Sequence, residues 1–210
     1  MTAPPRIRLW LGSLALTVST LVLAETGSTA GAVRPSASHV GASHDGEYVY
    51  RLPYGDGQSY SVIQSYGSAL SHRGLEYYTI DFGMPEGTPV LSAREGRVER
   101  VEDRFDRSCW SANCDRYANF VEIRHADGTL GRYYHLQQDS VLVRPGQWVD
   151  RGEPIAHSGD TGYSSAPHLH FGVYRTLSGG VDQSIAIQFA VRGGFVGHLR
   201  TGARYTNRVD

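Results

Sequence analysis

The chain contains no lysine: all twenty residues counted as Lys plus Arg are arginine. That absence excludes a lysine Schiff base and any carrier role that needs a lipoylated or biotinylated lysine. Cysteine is scarce too, with Cys109 and Cys114 the two in the chain. They are too few for a four-cysteine zinc site, and in an oxidising compartment they read as a disulfide closing a short loop around Trp110. Net charge is only −1 over 210 residues, with the arginines spread along the chain, so neither a nucleic-acid footprint nor a cationic membrane face is suggested. There is no His-Glu-x-x-His helix to carry a metal with a glutamate base, and no amphipathic run of helical length.

Long apolar runs are also missing, with one exception. Arg6 and Arg8 precede the run Leu9 to Ala24, which is short for a bilayer span and is followed by the small-residue patterns Val22-Leu23-Ala24 and Ala30-Gly31-Ala32. Residues 1–32 are therefore expected to be a signal peptide cleaved near 24 or 32, leaving no stable membrane span after processing. A retained anchor is the alternative, and no cysteine follows the run to take a lipid. Residues 33–47, rich in Ser, Gly and Ala, read as a flexible leader in which His39 and His44 are solvated. Residues 48–210 remain for one globular domain, destined for the periplasm or the exterior and expected to be monomeric.

What is present in that domain is β-forming. Short runs rich in Tyr, Val and Ile alternate with turns at Asp56-Gly57, Asp127-Gly128 and Pro145-Gly146. The expected strands are Tyr48–Leu52, Ser59–Gln64, Tyr77–Phe82, Pro89–Ser92, Gly96–Glu102, Phe120–His125, Thr129–Leu136, Gln147–Val149, Pro154–His157, His168–Tyr174 and a weaker one within Ser184–Val191. A closing strand is expected further on, within Ser178–Asp210. The stretches Gly87–Val98 and Gly146–Gly159 each read as apolar strand, glycine turn, apolar strand. The fold class that follows is mainly β: antiparallel sheets forming a flattened barrel or sandwich, with an open groove.

Within Ser164–Tyr174 two imidazoles stand two positions apart in a strictly alternating segment. His168, His170, Gly172 and Tyr174 share one face of the expected strand, and Leu169, Phe171 and Val173 share the other. At the strand rise, the two histidines sit about 6.5–7 Å apart, which suits one metal ligand beside one proton-handling neighbour. Upstream, a turn-like segment carries His72, and the strand after it presents Asp81 with Tyr77 and Thr79 opposite Tyr78, Ile80 and Phe82. His135 ends the strand returning from Asp127-Gly128, with Tyr133 on its face. His125, His157 and His198 read as structural or exposed. Tyr77, Tyr133, Tyr134, Tyr163 and the loop Gly159–Ala166 are candidate groove walls, although a tyrosine in a β domain is more often packing.

Taken in order, Ser71-His72-Arg-Gly, Tyr78-Thr-Ile-Asp81-Phe-Gly-Met-Pro-Glu-Gly-Thr-Pro-Val90, Asn119-Phe-Val-Glu-Ile-Arg-His-Ala-Asp-Gly128, Arg132-Tyr-Tyr-His135-Leu and Ser158-Gly-Asp-Thr-Gly-Tyr-Ser-Ser-Ala-Pro-His168-Leu-His170-Phe resemble the lysostaphin-type, LytM-like (M23) zinc metallopeptidases. The interval from His72 to Asp81 is longer than the His-x-x-x-Asp of the best-known members. The resemblance implies that His72, Asp81 and His170 ligate one Zn2+, and that His135 and His168 are the catalytic pair, their division into base and donor left open. Two imidazoles and a carboxylate leave a fourth tetrahedral position for water, the pattern of a catalytic zinc site. The implied activity is a secreted zinc endopeptidase acting on peptidoglycan stem peptides or cross-bridges. The alternatives are a non-catalytic wall-binding relative or amidase activator, and a broader secreted protease of glycine-rich proteins. An unrelated β-sandwich binding module does not account for five site residues in order.

Overall fold

A computed structural model describes residues 48–208; the expected signal peptide and the leader, with His39 and His44, lie outside the described residues. Among the described residues, no helix is long and apolar enough to cross a membrane. The strands in chain order are β1 (Val49–Arg51), β2 (Ser59–Gln64), β3 (Ile80–Gly83), β4 (Pro89–Leu91), β5 (Gly96–Glu102), β6 (Phe120–Arg124), β7 (Leu130–Tyr134), β8 (Trp148–Val149), β9 (Pro154–His157), β10 (Leu169–Thr176), β11 (Asp182–Ser184), β12 (Gln188–Val191), β13 (Gly194–Val196) and β14 (Arg204–Thr206). Short 3-10 turns occupy Gly74–Glu76 and Ala112–Tyr117.

The main sheet runs β14-β2-β3-β10-β7-β6-β5-β8, with β11 added on β10. Its strand pairs are antiparallel. A two-stranded antiparallel sheet joins β4 to β9, and a third sheet of order β1-β12-β13 contains a parallel pair, β1 with β12. The mainly β, antiparallel expectation therefore holds, and the main sheet is open rather than a closed barrel.

Alternation along β10 puts Leu169, Phe171 and Val173 into the core, each at most 1% exposed. There the Phe171 ring meets Tyr133 at 5.0 Å and Phe189 of β12 at 6.1 Å, so the third sheet covers the apolar face of the main one. Packing of this kind, about 25 cal/mol per Å² of buried apolar surface, fixes the strand rotations and hence what the opposite face displays.

Three expectations need correction. The segment Tyr77–Thr79 is not strand, because the turn at Gly74–Glu76, opened by Gly74 at φ 58°, delays pairing until Ile80. Tyr133 is no groove wall: it is fully buried, and its hydroxyl accepts the Ala93 N–H at 2.8 Å. Tyr77 is half exposed and packs on Gly67, away from the groove.

Candidate active site

The register of four neighbouring strands builds the site. Gln64 of β2 stands opposite Asp81 of β3, Asp81 opposite His170 of β10, and His170 opposite Tyr134 of β7. Side chains so paired lie about 5 Å apart on one face. His72 reaches this row from the β2–β3 connection and is fully buried. His135 follows β7 and His168 precedes β10, the latter tied to Gly159 by a β-bridge. Asp81, His135, His168 and His170 line a cavity of about 580 Å³, whose walls also include Leu70, Trp110, Tyr134 and Tyr163, and His72 is buried behind Asp81, its Nε2 3.1 Å from Asp81 Oδ1.

His72, Asp81 and His170 each aim one ligand atom at a common point, the three atoms lying within 4.8 Å of one another. His72 Nδ1 is 3.0 Å from the Ser65 carbonyl oxygen. A carbonyl only accepts, so the neutral ring carries its proton on Nδ1 and turns a bare Nε2 lone pair towards Asp81 Oδ1, 3.1 Å away. That Nε2 is buried without a hydrogen-bond partner. Lone pairs facing each other repel unless a cation lies between them. His170 Nδ1 meets the same Oδ1 at 2.8 Å. Two imidazole nitrogens and one carboxylate oxygen, one of them orphaned in the absence of a cation, fit a zinc ion.

The other two histidines are fixed differently. His135 Nδ1 donates to the Thr161 carbonyl at 2.6 Å, and His168 Nδ1 to the Ala166 carbonyl at 2.8 Å, with Ser164 Oγ at 3.2 Å. In both neutral rings Nε2 therefore keeps its lone pair. Their centroids are 4.5 Å apart, and His168 Nε2 lies 3.9 Å from Asp81 Oδ2. Desolvation, reinforced by the His168 and His170 rings, pushes His135 down to about 3. Burial disfavours charge on His170 as well, but the hydrogen bond and charge of Asp81, with Glu76 behind it, lift it to about 9. Asp81 is held well below the usual carboxylate range; its burial is outweighed by the hydrogen bond and charge of His170.

Sequence reasoning missed Gln64 and Glu76. Gln64 donates to Asp81 Oδ2 at 2.6 Å. Glu76 accepts the Tyr174 hydroxyl and lies 3.8 Å from His170 Nε2. Tyr174 was legible as a residue on the histidine face of β10; no sequence signal marked its carboxylate partner. Gln64 needed the β2–β3 register, which an isolated strand pattern does not reveal.

A β-sheet groove holding a three-ligand metal set beside two tautomer-fixed histidines defines a metallohydrolase-type site. The model of Peptidase family M23 matches residues 76–183, half of the chain, and the chain belongs to that family. The matched stretch takes in Asp81, His135, His168 and His170; His72 lies just before it. The chain is 38% identical over 91 residues to peptidoglycan DD-endopeptidase ShyA of Vibrio cholerae, an alignment covering 43% of this chain and 18% of the relative. It is 36% identical over 105 residues to lysostaphin of Staphylococcus simulans, covering 49% and 19%. The solved catalytic domain of lysostaphin from Staphylococcus simulans aligns at 28% identity and a TM-score of 0.41, covering 62% of this chain and 88% of that one. The aligned part spans about a fifth of each of these two curated relatives.

Proposed function

We propose that this chain is a secreted zinc-dependent endopeptidase that hydrolyses peptide cross-links of bacterial peptidoglycan. The observation that carries the reading is the convergence of His72 Nε2 and His170 Nδ1 on Asp81 Oδ1, at 3.1 and 2.8 Å, beside two further histidines. Zinc held by His72, Asp81 and His170 supplies Lewis acidity and brings the pKa of a water down to about 7. His135 and His168 handle the protons. Each has its Nδ1–H locked on a carbonyl, so each offers Nε2 as an acceptor and, once protonated, as a donor to the oxyanion or the leaving amine. Desolvation keeps His135 neutral, which leaves its Nε2 lone pair open.

The substrate assignment draws support from the named activity of the Vibrio relative, a peptidoglycan DD-endopeptidase. Stem peptides or cross-bridges of the wall would occupy the cavity, and the mature chain, with residues 1–32 removed, would act in the periplasm or outside the cell. Residues 33–47 form the leader in this reading and 48–210 the peptidase domain.

Purified mature protein is expected to clear cell walls in a zymogram and to lose that activity with a chelator, with mass analysis of the released muropeptides locating the bond. His135→Ala and His168→Ala should keep their zinc and lose turnover on the order of 10²-fold. Wall binding without cleavage would favour the non-catalytic, amidase-activating alternative. Chelator-insensitive cleavage would refute the zinc mechanism.

A further inference from the structure

Strand β2 carries one residue more than its partner requires. Val62 pairs with Phe82, yet Gln64, not Ile63, is paired with Asp81. In a regular ladder Ile63 would face the carboxylate; the bulge pushes it outward to 44% exposure and brings in an amide. That amide has one possible orientation. A carboxylate only accepts, so Gln64 Nε2 must face Asp81 Oδ2, at 2.6 Å, and Ser68 Oγ donates to Gln64 Oε1 from behind at 2.8 Å. Ser71 Oγ accepts a second bond from Nε2 at 3.2 Å.

The consequence falls on Asp81. Its Oδ2 is engaged by Gln64, so Oδ1 is the oxygen that faces His72 Nε2 and His170 Nδ1. We propose that Gln64 is a positioning residue for the metal, presenting Asp81 as a one-oxygen ligand and so selecting a four-coordinate ion such as Zn2+. The inference rests on the metal-site reading above. A carboxylate free to offer both oxygens would add a ligand and favour the larger coordination numbers taken by Mn2+ or Ca2+. Partners that orient a ligand in this way are typically worth about 10–100-fold in metal affinity.

The test reads metal, not turnover. Zinc affinity of the folded protein is measured by competition with a chromophoric chelator, and the Co2+-substituted protein by visible absorption, which is intense for tetrahedral cobalt and weak for higher coordination. Wild type should bind one zinc and show the intense band, and His72→Ala should abolish both. If wild type binds no zinc, the metal-site reading itself fails. Given wild-type binding, Gln64→Leu should bind zinc about 10–100-fold more weakly with a weakened cobalt band, and Gln64→Asn should fall between the two. Wild-type affinity and an unaltered band in Gln64→Leu overturn the proposal. Should circular dichroism show that Gln64→Leu does not fold, Ser68→Ala, which only unlocks the amide, decides: a weaker site supports the inference and an unchanged one overturns it.

Discussion

At His135 the backbone takes φ 64°, a left-handed conformation that costs a non-glycine residue about 1 kcal/mol. The neighbouring residue holds it there. Leu136 is fully buried, its N–H donates to the Asn119 carbonyl, and its own carbonyl accepts from Asn119 Nδ2 and Thr161 Oγ1. The sequence shows a histidine near a strand end, but strand alternation gives it the face of Tyr133, which is buried on the opposite side. The ring reaches His168 because the chain turns, and a turn imposed by tertiary hydrogen bonds leaves no local pattern. His125, which the sequence left as structural or exposed, is buried, and its burial has a measurable effect. Its Nδ1 donates to the Glu95 carbonyl at 2.8 Å, it is 3% exposed, and Tyr50, Arg94 and Asp127 surround it. Desolvation pushes it down to about 4. An unfolded His125 takes its proton near pH 6.5 while the folded one resists, so this residue's contribution to stability is lost as pH falls from about 6.5 to 4, about 3 kcal/mol in all. Asp127, kept at about 2 despite its burial by Thr129 and Arg94, gives way only below that window. Urea midpoints taken across pH 4–7 should fall less steeply for His125→Gln than for wild type; parallel curves would refute the assignment.

The elements themselves were largely readable, since β2, β5 and β9 coincide with their expected spans. Clear alternation and glycine turns mark them. The end of the chain was less legible: where one weak strand and one closing strand were expected, β11 to β14 form four short ones. Each is too short for a period to show, and their positions come from partners such as β1 and β2. The Cys109–Cys114 pairing was anticipated and is present. Its placement was not foreseen. Cys109 N–H donates to the Gly162 carbonyl, and Gly162 N–H to the Arg107 carbonyl, so the disulfide loop is stitched to the loop after β9. Gly162, at φ 83°, admits no side chain, because a Cβ would lie 2.6 Å from that of Ala118. Together the two loops raise Trp110 against Tyr163, ring centres 5.0 Å apart, on the cavity wall with Trp110 62% exposed. If a peptide lies along this wall, the contact is made in ground and transition state alike. Trp110→Ala should raise KM for a soluble muropeptide about tenfold or less with kcat and zinc content kept. A Cys109→Ser, Cys114→Ser protein should lose about 2 kcal/mol of stability and show the same KM trend. An unchanged KM in Trp110→Ala would remove the wall from substrate recognition.

Across the whole molecule, the metal ligands come from distant parts of the chain that one sheet brings side by side. His72 and Asp81 flank the entry to β3, and His170 arrives on β10 after the β4–β9 ladder and the β5–β6–β7 meander. The chain between Asp81 and His170 must fold before the third ligand is delivered, so an unfolded chain offers no assembled site. Metal affinity then becomes folding stability. Without a cation, the core carries the orphaned Nε2 of His72 against Asp81 Oδ1 at 3.1 Å, an opposition that destabilises the native state and that zinc relieves. At a free zinc concentration 100 times the Kd, linkage adds about 2.7 kcal/mol, which for a domain of this size raises Tm by about 5–10 °C. The scan should be run on metal-free protein titrated with zinc, with magnesium as control. His72→Ala should start from a Tm near that of the metal-free wild type and fail to rise with zinc, whereas His135→Ala, which keeps all three ligands, should rise as wild type does. An equal rise in His72→Ala would mean that zinc stabilises the fold from somewhere other than this site.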